Sequence, residues 1–350
     1  MNPYFASIKR IVLASSLLFC LSAPALAQHP VDYQLLKKVL IGGEGGWDYM
    51  SADPQNRKLY IAHATQVEVY DLDQDKVIGH ISNTQGVHGI AIAERAMHGF
   101  ISCGQSNSVL MFDLHTLDTL KRIPVGEHPD AIIYDFDTRH VFVMNAKSES
   151  ITVLDDATGN IVTTIPLPGK PEFAASDGHG HVFVNLEDKS EIVKIGVGEN
   201  TIDNVWPVAP GDAPSALAMD QGKDRLFIGC DNQLMIVMDS RNGHVITTVP
   251  IGKGIDAAVF DPFTSLAFAA CGEGTTTIVG AISADSFEVA QVLPTQRGAR
   301  TIALDTHTHD IYLVTAEFGP APAATADHPH PRPSILPGTF TLLKYGPSKP

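Results

Sequence analysis

The sequence contains no apolar run long enough to cross a bilayer comfortably, which takes roughly 20 residues. The run at Ile11–Leu21 is short, follows Lys9 and Arg10, and precedes the small-x-small triplet Ala25-Leu26-Ala27. That order is expected of a Sec-type signal peptide over residues 1–27, cleaved before Gln28, with a retained anchor as the alternative. The remaining chain, 28–350, is then expected to be a soluble monomer in the periplasm or outside the cell. Positive charge is also scarce: 24 Lys and Arg stand against 39 Asp and Glu, a net charge of −15. Removing the leader takes two cations and no anion, so the balance moves to −17. A surface this acidic repels phosphate backbones, which argues against nucleic acid as a main partner.

Cysteine is sparse. Cys20 lies in the leader, and Cys103, Cys230 and Cys271 remain, an odd number that leaves at least one thiol free unless it pairs between chains. Cys230 and Cys271 hold the same place in successive repeats, where a disulfide would have to bridge neighbouring units. No nucleophile elbow of the G-x-S-x-G type occurs. The glycines of Gly42–Gly46 precede a strand pattern and not a helix, so they do not form a phosphate loop. Helical amphipathic periodicity is absent throughout.

Seven copies of one plan are present. Each reads as an apolar strand, a polar turn and a second apolar strand, as in Pro129–Asn145, PDAIIYDFDTRHVFVMN. Equivalent positions are Asp48, His88, Asp130, Glu172, Ser215, Asp256 and Arg300, a spacing in the low forties. Short strands at that period predict an all-β, seven-bladed β-propeller of four-stranded blades. The run Val31–Leu40 precedes the first repeat, and the last repeat lacks its final strand. The N-terminal strand is therefore expected to complete the last blade and close the ring. The recurrent Asp53, Asp135, Asp177, Asp220, Asp261 and Asp305 read as turn residues bonding the backbone ahead of them. Phe318–Gly338, dense in Pro and Ala, reads as a long loop inserted in the last blade.

The motif VFVMN at Val141–Asn145 resembles the YVTN family of β-propeller repeats, and closest to the exported YncE-like bacterial proteins. GGWDY at Gly45–Tyr49, GVHGIAIA at Gly86–Ala93, HPDAIIYD at His128–Asp135, KPEFAASD at Lys170–Asp177, RGARTIALD at Arg297–Asp305 and the Pro-rich segment add to the resemblance. It implies a seven-bladed propeller in the periplasm or outside the cell. It implies little about activity, because this fold hosts unrelated functions.

In this connectivity the starts of the innermost strands gather at one mouth of the central channel. Asp48, His88, Asp130, Glu172, Asp256 and Arg300, with Trp47 beside them, form a candidate ligand site, and Ser215 shares the position. His63, Asn145, Asn185 and Glu317 are expected to join from the ends of the next strands. The repeat flanks recur while this position varies and stays polar, which is how a site differs from a scaffold. The first reading is a binding protein for a small molecule or peptide, Arg300 holding an anionic group and the carboxylates a cationic one. The second is a lactonase-like hydrolase with Ca or Zn held by Asp130, Asn145, Glu172 and Asn185, and His88 as base. The third is a protein-interaction scaffold whose channel groups hold only water. THTHD at Thr306–Asp310 reads as a solvated turn on the far face, His328 and His330 as part of a polar loop, and Trp206 as packing.

Overall fold

The computed structural model describes residues 32–322 and 333–348. Residues 1–27, read above as a signal peptide, and the histidines His328 and His330 lie outside the described residues. Seven four-stranded antiparallel sheets follow one another along the chain. Their inner strands are Trp47–Asp53, Val87–Ala93, Pro129–Asp135, Pro171–Ser176, Pro214–Asp220, Ile255–Asp261 and Ile302–Asp305, for blades 1 to 7. Each inner strand packs against the next, and that of blade 7 against that of blade 1, so the ring is closed. Closure comes from Tyr33–Leu40, which pairs antiparallel with Thr341–Pro347 as the outer strand of blade 7. Pairing it there covers the outward edge that Thr341–Pro347 would otherwise expose.

Burial follows strand order. Second strands are buried on both faces, as in Val141–Asn145, whereas outer strands such as Ile161–Pro166 are mostly exposed. This is why the second strands are continuous apolar runs and the outer ones alternate with Thr and Lys. The third residue of every second strand is aromatic: Tyr60, Phe100, Phe142, Phe183, Phe227, Phe268 and Tyr312, none more than 1% exposed. Phe227 packs with Ala258, Ala267 and Ala269 of blade 6, and Tyr312 with Leu59 and Ile61 of blade 1. One large buried ring in each second strand stabilises by roughly 2–3 kcal/mol per ring.

The turn aspartates do two things. Asp135 Oδ2 accepts from Thr138 N and Asp305 Oδ1 from His307 N, which holds each turn. The other carboxylate oxygen often reaches the next blade: Arg57 Nη1 lies 2.7 Å from Asp305 Oδ2, and His309 Nδ1 2.9 Å from Asp261 Oδ2. His309 of THTHD is thus an inter-blade staple, stacked under Phe263, and not a free solvated residue. The Pro-rich insertion departs from a plain loop at its root. Phe318 bridges Ile335, with Gly319 N donating to Ser334 O and Leu336 N to Glu317 O. Cys103, Cys230 and Cys271 are buried free thiols, each at the end of its second strand.

Candidate functional site

Six inner strands carry one extra residue at their start. Trp47 pairs with His63 and Met50 with Ile61, so two residues of one strand face one of the other; the same slip spans 88–89, 130–131, 172–173, 215 and 256. A β-bulge there twists the strand and re-aims the side chain at that position. Asp48, His88, Asp130, Glu172, Ser215 and Asp256 sit on these bulges, and Arg300 lies just ahead of the unbulged strand Ile302–Asp305.

They meet in pairs. His88 Nδ1 lies 2.5 Å from Asp48 Oδ2 and 3.5 Å from Asp130 Oδ1. Arg300 Nε donates to Asp256 Oδ2 at 2.7 Å and its Nη2 to the Trp47 carbonyl at 3.1 Å. Lys170 Nζ lies 3.1 Å from Glu172 Oε2, outside hydrogen-bond geometry, and 2.5 Å from Glu187 Oε2. Five carboxylates therefore face three basic groups. Burial, with the charge of Asp130, pushes Glu172 up to about 8 despite Lys170. Burial likewise lifts Asp256 to about 6, against the pull of Arg300. Asp130 also reaches about 6, raised by burial and Asp48 and held back by His88. Burial works against protonation of His88, but the bond to Asp48 and the charges of Asp130 and Glu172 outweigh it and raise its affinity for a proton. The mouth holds more negative charge than its own cations and solvent can settle.

The next residue inward forms the floor. Tyr49 of blade 1 meets Phe173 of blade 4 edge-on, ring centroids 5.1 Å apart. Those blades are not ring neighbours, so the contact spans the channel. Two cavities of about 280 and 330 Å³ lie beyond it, lined by Met50, Ile90, Ile132, Ala258 and their equivalents and by no carboxylate. The polar mouth and the apolar channel are separate compartments.

Several expected members of the site are elsewhere. Trp47 is 6% exposed, its ring packs against Phe318 and Phe340, and what it contributes to the site is its carbonyl, to Arg300. Arg300 is already engaged by Asp256 and lies over the Trp47 ring, so it is not the free anion-binding group the sequence suggested. Ser215 donates to the Ile255 carbonyl and serves as an inter-blade tie. His63 is buried between blades 1 and 7, stacked on Phe340 with Nδ1 3.3 Å from Glu68. Glu317 lies beyond its strand, which ends at Thr315, and is exposed.

The two asparagines are not equivalent. Asn145 pairs with Pro129, but Leu186 pairs with Pro171, so Asn185 sits one residue earlier. One residue in a strand reverses the face. Asn185 Nδ2 donates to the Ala216 carbonyl of blade 5, whereas Asn145 Nδ2 bonds Ser150 and Thr152 under Gly126. The structure thus does not assemble Asp130, Asn145, Glu172 and Asn185 into one ligand set. It brings together a different one, in which His88, His128 and Asp130 offer ligand atoms within 4.8 Å of one another. His128 was missed because it precedes the repeat position; its place immediately before Pro129, at the head of an inner strand, was the available signal.

Fold and site define the class: a seven-bladed β-propeller with an acidic, histidine-bearing channel mouth. The chain is similar to a solved structure from Kuenenia stuttgartiensis, a chain of hydrazine synthase, with a TM-score of 0.67 at 15% identity, over 77% of this chain and 92% of that one. Identity that low establishes the shared propeller and nothing about chemistry. No protein-family profile matches the sequence, and no curated protein matches it.

Proposed function

We propose that this is an exported propeller that binds a small organic cation, or a peptide bearing one, at the acidic mouth of its channel. The observation that carries it is the unequal gathering of five carboxylates, Asp48, Asp130, Glu172, Glu187 and Asp256, around three basic groups above an aromatic floor. Arg300 and His88 each hold a carboxylate of their own, which leaves Glu172 and Asp130 as the under-compensated pair. An ammonium or guanidinium group would supply the missing charge, and Tyr49 with Phe173 would meet its hydrocarbon portion. Export rests on the leader pattern of residues 1–27, and kinship with the YVTN repeat propellers rests on VFVMN and its equivalents.

The test is calorimetric titration of chain 28–350 with n-butylammonium, butylguanidinium and tetramethylammonium, against n-butanol and butyrate as neutral and anionic counterparts. Binding of at least one cation, weakened tenfold or more in Glu172→Gln, is the expected result. Equal response to cation and alcohol, or cation binding unchanged in Glu172→Gln, overturns the reading.

A further inference from the structure

We propose that His88, His128 and Asp130 form a site for one first-row transition-metal dication at the rim of the mouth. This does not rest on the organic-cation reading: the two share Asp130, but that reading turns on Glu172 and the aromatic floor, and this one on the two imidazoles. The three residues come from the start of blade 2 and from the segment entering blade 3, and one ligand atom of each lies within 4.8 Å of the other two. Tetrahedral ligands at about 2.0–2.2 Å from an ion stand somewhat closer together than that, so a modest rotation of the imidazoles completes the set.

Four further features suit an ion. Asp48 engages His88 Nδ1 at 2.5 Å, the carboxylate–histidine arrangement that fixes the tautomer and leaves Nε2 with its lone pair. That Nε2 faces Gly104: a Cβ built there would lie 2.7 Å from His88 Nε2 and 3.4 Å from His128 Nδ1. Only glycine lets the Nε2–Cδ2 edge of His88 pack this close to the backbone, with His128 Nδ1 on the same side. His128 Nδ1 is buried and has no hydrogen-bond partner, an uncommon condition for an imidazole nitrogen. The rings are 5.2 Å apart and tilted by 44°, so they converge and do not stack flat.

Two imidazoles and a carboxylate suit zinc, nickel or copper, not calcium, which takes six to eight oxygens. Three protein ligands leave a position for water or a donor atom of a bound molecule. This set shares only Asp130 with the oxygen-rich one expected from the sequence, and of that reading's two metals it suits zinc and not calcium.

The experiment uses untagged chain 28–350, stripped with chelator and titrated calorimetrically with zinc, then with calcium. One equivalent of zinc, unaffected by millimolar calcium, is the expected result. His128→Asn suits the left-handed backbone at that position, where φ is 53°, and should weaken zinc at least tenfold. Gly104→Ala puts a methyl against the His88 ring edge, displaces that imidazole and should do the same, keeping the test valid if either variant folds poorly. Glu172→Gln should bind zinc as before, so loss of butylammonium binding and loss of zinc binding are separable. Absence of zinc uptake, or uptake unchanged in both His128→Asn and Gly104→Ala, overturns the site; the latter would move the metal to histidines elsewhere.

Discussion

Replacing Glu172 by Gln should make this protein more stable, and by an amount that depends on pH. The carboxyl is 13% exposed, its Oε2 accepts no hydrogen bond, and Asp130 lies near enough to repel it. The groups that face it are Asp130, Lys170 and Glu187, with His88 and Tyr49 further round the rim. Its proton affinity rises from the ordinary 4.5 to about 8. Between those values the folded chain holds a proton that the unfolded chain has released, so stability falls as pH rises. At pH 7 the cost of that retained proton is about 3 kcal/mol, at roughly 1.4 kcal/mol per unit. A neutral amide bears none of it and gives up only a weak, partly screened contact with Lys170. The expected net gain is about 2–3 kcal/mol, or about 4–6 °C in melting temperature for a chain of this size. Thermal scans of both proteins from pH 4 to 9, at one scan rate and in chelator, measure it. The gain should vanish near pH 4, grow through neutrality and level off above about 8. A difference constant across that range, or a lower melting temperature for the variant at every pH, would refute the reasoning.

Arg57→Ala leaves Asp305, fully buried, without its 2.7 Å ion pair from blade 1. Burial favours the protonated acid there, but the bonds from Arg57, His307 and Thr308 outweigh it and keep the carboxyl below its usual range. The loss should be about 2–3 kcal/mol by denaturant titration at pH 7, shrinking as pH falls and the acid protonates. Gly99→Ala would place a methyl about 2 Å from the Phe112 ring, and should cost about 3 kcal/mol or prevent folding, seen as lost near-ultraviolet dichroism. Cys103, Cys230 and Cys271 are fully buried, and burial raises each thiol above its ordinary proton affinity. A thiol reagent should therefore find no fast-reacting group in folded chain 28–350 and three after denaturation; a fast-reacting thiol in the folded protein would contradict the packing.

The propeller was legible because its period is written in residues that packing requires. The aromatic at Phe142 and its six counterparts, the turn Asp135 and its counterparts, and the strand Tyr33–Leu40 lacking a partner in its own repeat all follow from strand physics. The site was legible as a set of positions but not as a set of contacts. The one-residue offset between Asn145 and Asn185 is visible when VFVMN is set against VFVNL, but no sequence shows which partner each amide then finds. Nor does a sequence show that Arg300 and Asp256 satisfy each other. The bulges that aim these side chains leave no distinctive residue behind, since only the partner strand reveals the extra position. His128 lay two residues from Asp130 and carried no repeat signal of its own.

The strand Tyr33–Leu40 has a consequence for the order of events in folding. Asp32 and Ser348 are hydrogen-bonded although 316 positions apart. Six blades can form from contiguous stretches, but the seventh needs residues 33–40 and residues 302–347 together. Until they meet, the blade 7 strand Thr341–Pro347 has a naked edge and the two chain-end regions are free to pair with those of another molecule. Dilution during refolding should therefore favour the single ring, and crowding the exchanged dimer. Relocating residues 32–40 to follow residue 348 through a short linker would make every blade local, and would remove that hazard without altering a single contact within the ring.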